Sequence, residues 1–263
     1  MIRKTVTAAL FLGLAACGGE GVAPEATGSG NPGAEPSAAA AMNAGAAIAA
    51  AVASPERPAE ARERDPARKP AEVLALSGIE PGDRIVEIAG FGQYYTTLLS
   101  SIVGPEGEVH VFDLPYTEER AGEASRAFAA AHANTEYNVV DYNEASFPAD
   151  TDIVFNVLYY HDLGLNDIDI AAMNAKLFAA LKPGGAYLVI DHKAEDGSGW
   201  RDAESVHRVD KQTIIDEVTA AGFVLETDSD LLANPDDDRS VMVFSPGTRG
   251  ATDRAVLLFR KGG

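Results

Sequence analysis

Residues 81–96 read PGDRIVEIAGFGQYYT, and their pattern decides the fold. Pro81-Gly82-Asp83 forms a turn. RIVEIA is a short apolar run carrying one acid, Glu87, and suits a strand buried on both faces. Gly90-Phe91-Gly92 breaks the run, and Tyr95, Leu98, Leu99 and Ile102 then recur at helical spacing. Strand, glycine-containing turn and helix in this order open a βαβ unit.

Upstream, AEVLALSG predicts a short amphipathic helix ended by Gly78. Downstream, the alternation continues. EVHVFDL (108–114) reads as a second strand, Thr117 to about Ala133 as a helix, TEYNVVD as a third strand and DIVFNVLYY as a fourth. Ile170, Met173, Leu177 and Leu181 lie on one helical face, which Lys182-Pro183-Gly184-Gly185 ends before the strand AYLVIDH. Asp210 caps a helix over KQTIIDEVTAA that Gly222 terminates, and FVLETDSDLL and DRAVLLFRK supply two last strands. The expectation is an α/β, doubly wound, mostly parallel seven-stranded sheet with helices on both faces.

Ligands of such sheets bind beyond the carboxyl ends of the strands, where strand order reverses. The residues at those ends are Glu87 and the Gly90–Gly92 turn after strand one, Asp113 after strand two and Asp141 after strand three. Asp113 follows Glu87 by 26 positions, which carries an acid to the tip of the neighbouring strand, within reach of ribose hydroxyls. Each also has a local reading: Glu87 satisfied by a backbone amide, Asp113 a cap before Pro115, and Asp141 a turn residue before Tyr142-Asn143.

From Ala71 to Lys261 the chain resembles class I S-adenosylmethionine (SAM)-dependent methyltransferases, and within them a bacterial group of predicted methyltransferases. The resemblance rests on PGDRIVEIAGFGQYYT, VFDL, the YYHDL after strand four, ALKPGG and TAAGF. It implies a Rossmann-like methyltransferase fold with an antiparallel last strand, and SAM as cofactor. Glu87 would face the methionine amino group, Gly90 and Gly92 the carboxylate end, Asp113 the ribose and Asp141 the adenine amino group. One departure stands out. The family places three glycines at alternate positions after the acid, where this chain has Ala89, Phe91 and Gln93, so Phe91 and Gln93 are expected to crowd the cofactor or the turn to be rebuilt around Gly90 and Gly92.

Methyl transfer from a sulfonium needs alignment and, for some acceptors, a base. His161 and Asp162 after strand four and His192 after strand five are the candidates, with His161 the first choice for general base and Asp162 or Asp191 orienting its imidazole. His207 precedes the last long helix. His161, Asp162, His192 and His207 lack the close ligand spacing of a metal site, and none is expected there. Tyr94, Tyr95, Tyr159, Tyr160 and Trp200 either line an acceptor pocket or belong to the core. Asp236-Asp237-Asp238 falls in a long connection that reads as a solvated loop or a mobile lid.

The N-terminus has a different texture. Arg3 and Lys4 precede an apolar run from Val6 to Ala16, the layout of an export signal and too short to span a bilayer. Leu14-Ala15-Ala16-Cys17 resembles the lipobox of bacterial lipoproteins, which implies a lipid on Cys17, export, and a lipid-anchored place in the cell envelope, periplasmic side. The predicted domains are a signal peptide over 1–17, a flexible Ala/Gly/Pro-rich linker over 18–53 and a methyltransferase-like domain over 54–263. The linker is expected to contribute nothing to the core.

Composition narrows the partners. With 21 Lys+Arg against 40 Asp+Glu the chain has a net charge of −19, which excludes a nucleic-acid binder that depends on a basic face. One Cys cannot form an internal disulfide. The leading expectation is a methyltransferase with a small-molecule acceptor, touching membrane only through the lipid anchor. The rival is a non-catalytic ligand-binding lipoprotein that keeps the fold. A nicotinamide-dependent dehydrogenase fits less well because no GxGxxG follows the first strand.

Overall fold

Seven segments pair into one sheet, whose central members are too hydrophobic on both faces to stand at a surface. The structure is a computed structural model and describes residues 38–262. The strands are β1 (Arg84–Ile88), β2 (Glu108–Asp113), β3 (Thr135–Val139), β4 (Thr151–Val157), β5 (Leu181–His192), β6 (Phe223–Ser229) and β7 (Arg254–Lys261). Their order is β3-β2-β1-β4-β5-β7-β6. The pairs β3/β2, β2/β1, β1/β4 and β4/β5 are parallel. β7 runs antiparallel to both β5 and β6. Strand order reverses between β1 and β4, so the carboxyl ends of these two strands and of their neighbours β2 and β5 frame the crevice.

Alternate side chains of each strand feed two cores. Ile85, Val111, Phe155 and Ile190 join one layer, whereas Val86, Phe112, Val154 and Val189 join the other. The first layer packs against α2 (Pro70–Ser77) and α3 (Tyr94–Val103), the second against α5 (Ile170–Ala180) and α6 (Lys211–Ala220). Asp169 and Asp210 cap α5 and α6 by accepting from the amides of Ala172 and Gln212, the latter as expected.

Several boundaries differ from the sequence reading. The helix expected over 117–133 begins as a turn at Pro115–Thr117, passes through a π segment at Glu118–Gly122 and becomes α4 only at Glu123–Ala131. LKPG lies inside β5: Leu181 pairs with Thr151, the register shifts, and Ala186 then pairs with Ile153. β4 ends at Val157, and Tyr160–Leu163 is a helical turn.

The linker expected over 18–53 is corrected in its second half. Residues 38–53 form helix α1 (Ala38–Ala53); Ala44 is buried, and Ile48 and Ala51 join the core layer that contains Val73, Leu98 and Leu99. Small residues at helical spacing let the backbone approach α2 and α3 closely, so one Ile is enough to dock a helix that has almost no amphipathic contrast. The stretch 18–37 and Cys17 lie outside the described residues. Among those described, no helix is long and apolar enough to cross a membrane.

In the long connection after β6, Asp236 and Asp238 are exposed as expected, but Asp237 is not. Arg208 is the largest fully buried side chain of the fold, and its guanidinium donates to both carboxylate oxygens of Asp237 at 2.8 and 3.1 Å. Asp237 in turn accepts from the amide of Asp253 at 2.6 Å. A buried guanidinium needs such a partner, and this one pins the loop to the start of β7.

If α1 is part of the core, its loss is measurable. Ile48→Ala in the full chain should lower the unfolding free energy by about 2–4 kcal/mol in urea titrations, the cost of a buried Ile truncation. A docking-free linker would show a change near zero.

Candidate active site

The β1–β2 side of the crevice holds the residues expected to meet a cofactor. Glu87 is buried near the end of β1, and its Oε2 accepts from the Thr96 hydroxyl at 2.6 Å in the first turn of α3. Burial, reinforced by the nearby Asp113, pushes its carboxyl up to about 8 although the Thr96 hydrogen bond opposes this. Gly90 packs so tightly that an added Cβ would lie 2.4 Å from Val111 Cγ1 and 3.1 Å from Glu87 Oε2. Gly92 takes φ 77°, and the non-glycine neighbours Ala89 and Gln93 are held at φ 58° and 54°. The turn has therefore been rebuilt around Gly90, with two ordinary residues in the left-handed conformation that glycine adopts without strain. Phe91 is 52% exposed and Gln93 Nε2 donates to Ser125 Oγ at 3.3 Å, so neither fills the turn itself.

Asp113 ends β2 fully buried. Its Oδ2 accepts from the Tyr137 hydroxyl at 3.1 Å, whereas Oδ1 is buried without a partner. Burial raises its pKa. An unsatisfied buried carboxylate oxygen at this strand tip is the feature a hydroxyl-bearing ligand would satisfy, so the residues fit a ribose. Asp141 is different. It is exposed, and its Oδ1 accepts from the Asn143 amide at 2.8 Å, which closes a local turn. Above β1, the hydroxyls of Tyr116, which follows β2, and Tyr159, which follows β4, lie 2.8 Å apart. This bridge joins the segments that follow β2 and β4. Tyr116 was not singled out from the sequence, where Pro115-Tyr116 directly after Asp113 was the available signal.

The β4–β5 side carries the acid–base groups. His161 is 2% exposed. Its Nδ1 lies 2.7 Å from Asp191 Oδ1, and its backbone amide donates to Asp191 Oδ2, also at 2.7 Å. Asp191, not Asp162, therefore orients the imidazole. Burial lowers the His161 pKa, but the Asp191 charge and hydrogen bond outweigh it and leave the ring raised. Nε2 is buried without a hydrogen-bond partner and sits 3.5 Å from Asp162 Oδ1.

His192 does not suit the catalytic role expected of it. Its Nδ1 is 2.7 Å from the Thr252 hydroxyl, and burial pushes its pKa down to about 3, so the ring is neutral and a poor proton acceptor. His207 joins the site instead. The Val209 amide donates to the His192 carbonyl at 3.1 Å, stitching segment 207–209 beside the end of β5 and bringing the His207 ring to 5.3 Å from that of His161. Among the aromatics, Tyr160 and Trp200 stack and both donate to Glu217, and Tyr94 donates to Asp65, so these three are structural. Tyr95 belongs to the core, and Tyr159 remains at the crevice.

Seven strands in this order, with β7 inverted between β5 and β6, define the architecture. The chain has the fold of class I SAM-dependent methyltransferases. It is similar to a SAM-dependent methyltransferase from Aquifex aeolicus (TM-score 0.55, 18% identity, 78% of this chain and 98% of that one). It is also similar to one from Mesorhizobium loti (TM-score 0.52, 17% identity, 75% and 99%). The [4+2]-cyclase SpnF matches comparably (TM-score 0.53, 14% identity, 74% and 81%). In sequence, the chain is 30% identical over 126 residues to the ubiquinone/menaquinone biosynthesis C-methyltransferase UbiE of Teredinibacter turnerae, covering 48% of this chain and 49% of the relative. It is 25% identical over 158 residues to UbiE of a Marinomonas species, covering 60% and 59%. The chain thus spans between about half and three-fifths of the length of these curated relatives. No family model matches it.

Glu87 supplies a pH test. Its carboxyl titrates near 8 when folded and near 4.5 when unfolded, so between these values the folded chain binds more protons and stability falls as pH rises. Glu87→Gln, which cannot ionise, should remove on the order of 3 kcal/mol of this loss between pH 5 and 8, read as a flatter thermal-midpoint profile than wild type. Parallel profiles would show that Glu87 is ionised in the fold.

Proposed function

We propose that the chain is a SAM-dependent methyltransferase for a small-molecule acceptor. The observation that carries this is the unpartnered, buried Oδ1 of Asp113 at the tip of β2, beside Gly90 and Glu87, in a chain that shares the methyltransferase fold and matches UbiE over half its length. SAM would supply an electrophilic methyl group. Asp113 would accept from the ribose hydroxyls, and Glu87, once ionised, would accept from the methionine amino group. The close backbone approach at Gly90 leaves no room for a side chain where the turn meets β2. Asp141 is left out of this set because its carboxylate is committed to its own turn.

The acceptor falls on the β4–β5 side. There His161 Nε2 is a buried ring nitrogen left without a partner while Asp191 fixes the other, the arrangement that aims one imidazole lone pair at an incoming group. Phe244, 53% exposed, has its ring 5.1 Å from that of His207 and offers an apolar wall to the same mouth. An acceptor with an apolar body and one polar reacting end suits this pairing.

SAM or its demethylated product at millimolar concentration should raise the thermal midpoint of the full chain, since a ligand selective for the native state stabilises it by mass action. Asp113→Ala should abolish most of that shift, with Asp113→Asn as a variant of unchanged size. No shift in wild type would favour the non-catalytic binding lipoprotein; a shift without methyl transfer to phenols, hydroquinones, amines or thiols would leave binding alone.

The same reading includes an exported, lipid-anchored protein on the periplasmic side of the envelope. It is supported by Arg3, Lys4, the apolar run to Ala16 and the Leu14–Cys17 motif. Cys17→Ser should move the protein out of the membrane fraction or stall its processing. Fractionation and processing identical to wild type would rule the anchor out.

A further inference from the structure

Two ring nitrogens on different segments face one carboxylate oxygen without hydrogen-bonding to it. His161 Nε2 and His207 Nδ1 are both buried and partnerless. They lie 3.5 and 3.3 Å from Asp162 Oδ1. A charge-assisted hydrogen bond between these groups would close to about 2.7–2.9 Å. Donor atoms sharing a tetrahedral cation stand farther apart: bonds of about 2.0–2.1 Å put neighbouring donors about 3.4 Å from each other. One ligand atom from each of His161, Asp162 and His207 falls within a 4.8 Å cluster.

We propose that His161 Nε2, Asp162 and His207 hold a divalent transition-metal ion of the zinc class. Two imidazoles and one carboxylate are a donor set such ions take, and three protein ligands leave a position open. The surrounding contacts are those a ligating histidine requires. Asp191 accepts from His161 Nδ1, which fixes the tautomer that presents Nε2 as a lone pair. His207 is held at φ 55° by the pairing of Val209 with the end of β5 and by its neighbour Arg208, which is locked on Asp237. An imidazole working alone as a base requires neither Asp162 nor His207 at these distances.

Asp162 and His207 are partly exposed, so the cluster lies at the edge of the buried interior. Resting on the methyltransferase reading, the open position would take a polar atom of the acceptor. The cation would then lower the acceptor's pKa, and its proton would leave to water, not to Nε2. Metal binding itself does not depend on that reading.

The test uses the untagged full chain, stripped with chelator and titrated calorimetrically with Zn2+ in the absence of SAM and acceptor. One equivalent should bind, and Co2+ at the same site should give the intense visible absorption of a tetrahedral complex. Asp162→Asn and His207→Asn should each weaken binding about 100-fold; Asn tolerates the left-handed backbone at 207, and circular dichroism of the stripped variants checks that they fold. Asp191→Asn should cost about 10- to 100-fold through the His161 ring. Asp113→Ala should leave Zn2+ affinity unchanged, which separates failure here from failure of the cofactor reading. No Zn2+ binding by wild type, or binding equal in wild type, Asp162→Asn and His207→Asn, would overturn the proposal and leave the cluster as an ion-pair network.

Discussion

Asp191 is the contact on which the β4–β5 side depends. Fully buried near the end of β5, it accepts from the backbone amides of His161 and His192 and binds the His161 ring, each at 2.7 Å. Burial opposes its charge, but the His161 ring and the amides outweigh that and hold the carboxylate below its ordinary pKa. One side chain thereby welds the turn after β4 to the end of β5 and sets the rotation of the His161 imidazole. Removing it would leave two amides and a ring nitrogen unsatisfied at once, which is why position and chemistry cannot be separated here.

Strain gathers around the same crevice. Ala89 and Gln93 at the β1 turn, Leu158 after β4 and His207 beside β5 are all non-glycine residues at φ between 54° and 59°. Such residues persist only where the surroundings over-determine them. At Ala89 the hold is the amide bond to the Phe112 carbonyl at 2.8 Å, and at Leu158 the bond to the Ile190 carbonyl at 2.7 Å, so the sheet itself fixes both. The fold uses neighbouring-strand hydrogen bonds to aim its strand-end turns, and so at Ala89 it dispenses with the glycine that the resembled family has there.

What was legible in the sequence follows from range. The strands and the helices α2, α3, α5 and α6 announce themselves by apolar spacing, and strand tips then place Glu87, Asp113 and His161 without coordinates. Helix α1 was not legible, because its buried face is alanine with a single Ile and periodicity needs contrast. Asp237 read as solvated because its partner, Arg208, lies 29 residues earlier, and no local pattern links them. The place of His207 depends on a three-residue stitch to β5, a pairing too short to leave a strand signature. Asp162 and His192 both adjoin strand ends, and burial separates them: Asp162 keeps partial exposure, whereas burial neutralises the His192 ring.

The two sides of the crevice answer different questions. The β1–β2 side, with Glu87, Gly90 and Asp113, lies where sheets of this topology take their ligands. The β4–β5 side is not fixed by the fold. A fold that also carries the [4+2]-cyclase SpnF imposes no single reaction, so whatever distinguishes this chain must reside in groups the topology does not require. Asp191, His161, Asp162 and His207 are such groups: they converge from three segments, one of them held by the Arg208–Asp237 pair in the connection before β7. The Tyr116–Tyr159 bridge is the direct link between the sides, with one hydroxyl from the β2 tip and one from the β4 tip. Tyr159 stands two residues before His161, so the bridge and the acid–base groups share the strand-end turn that Asp191 holds in place.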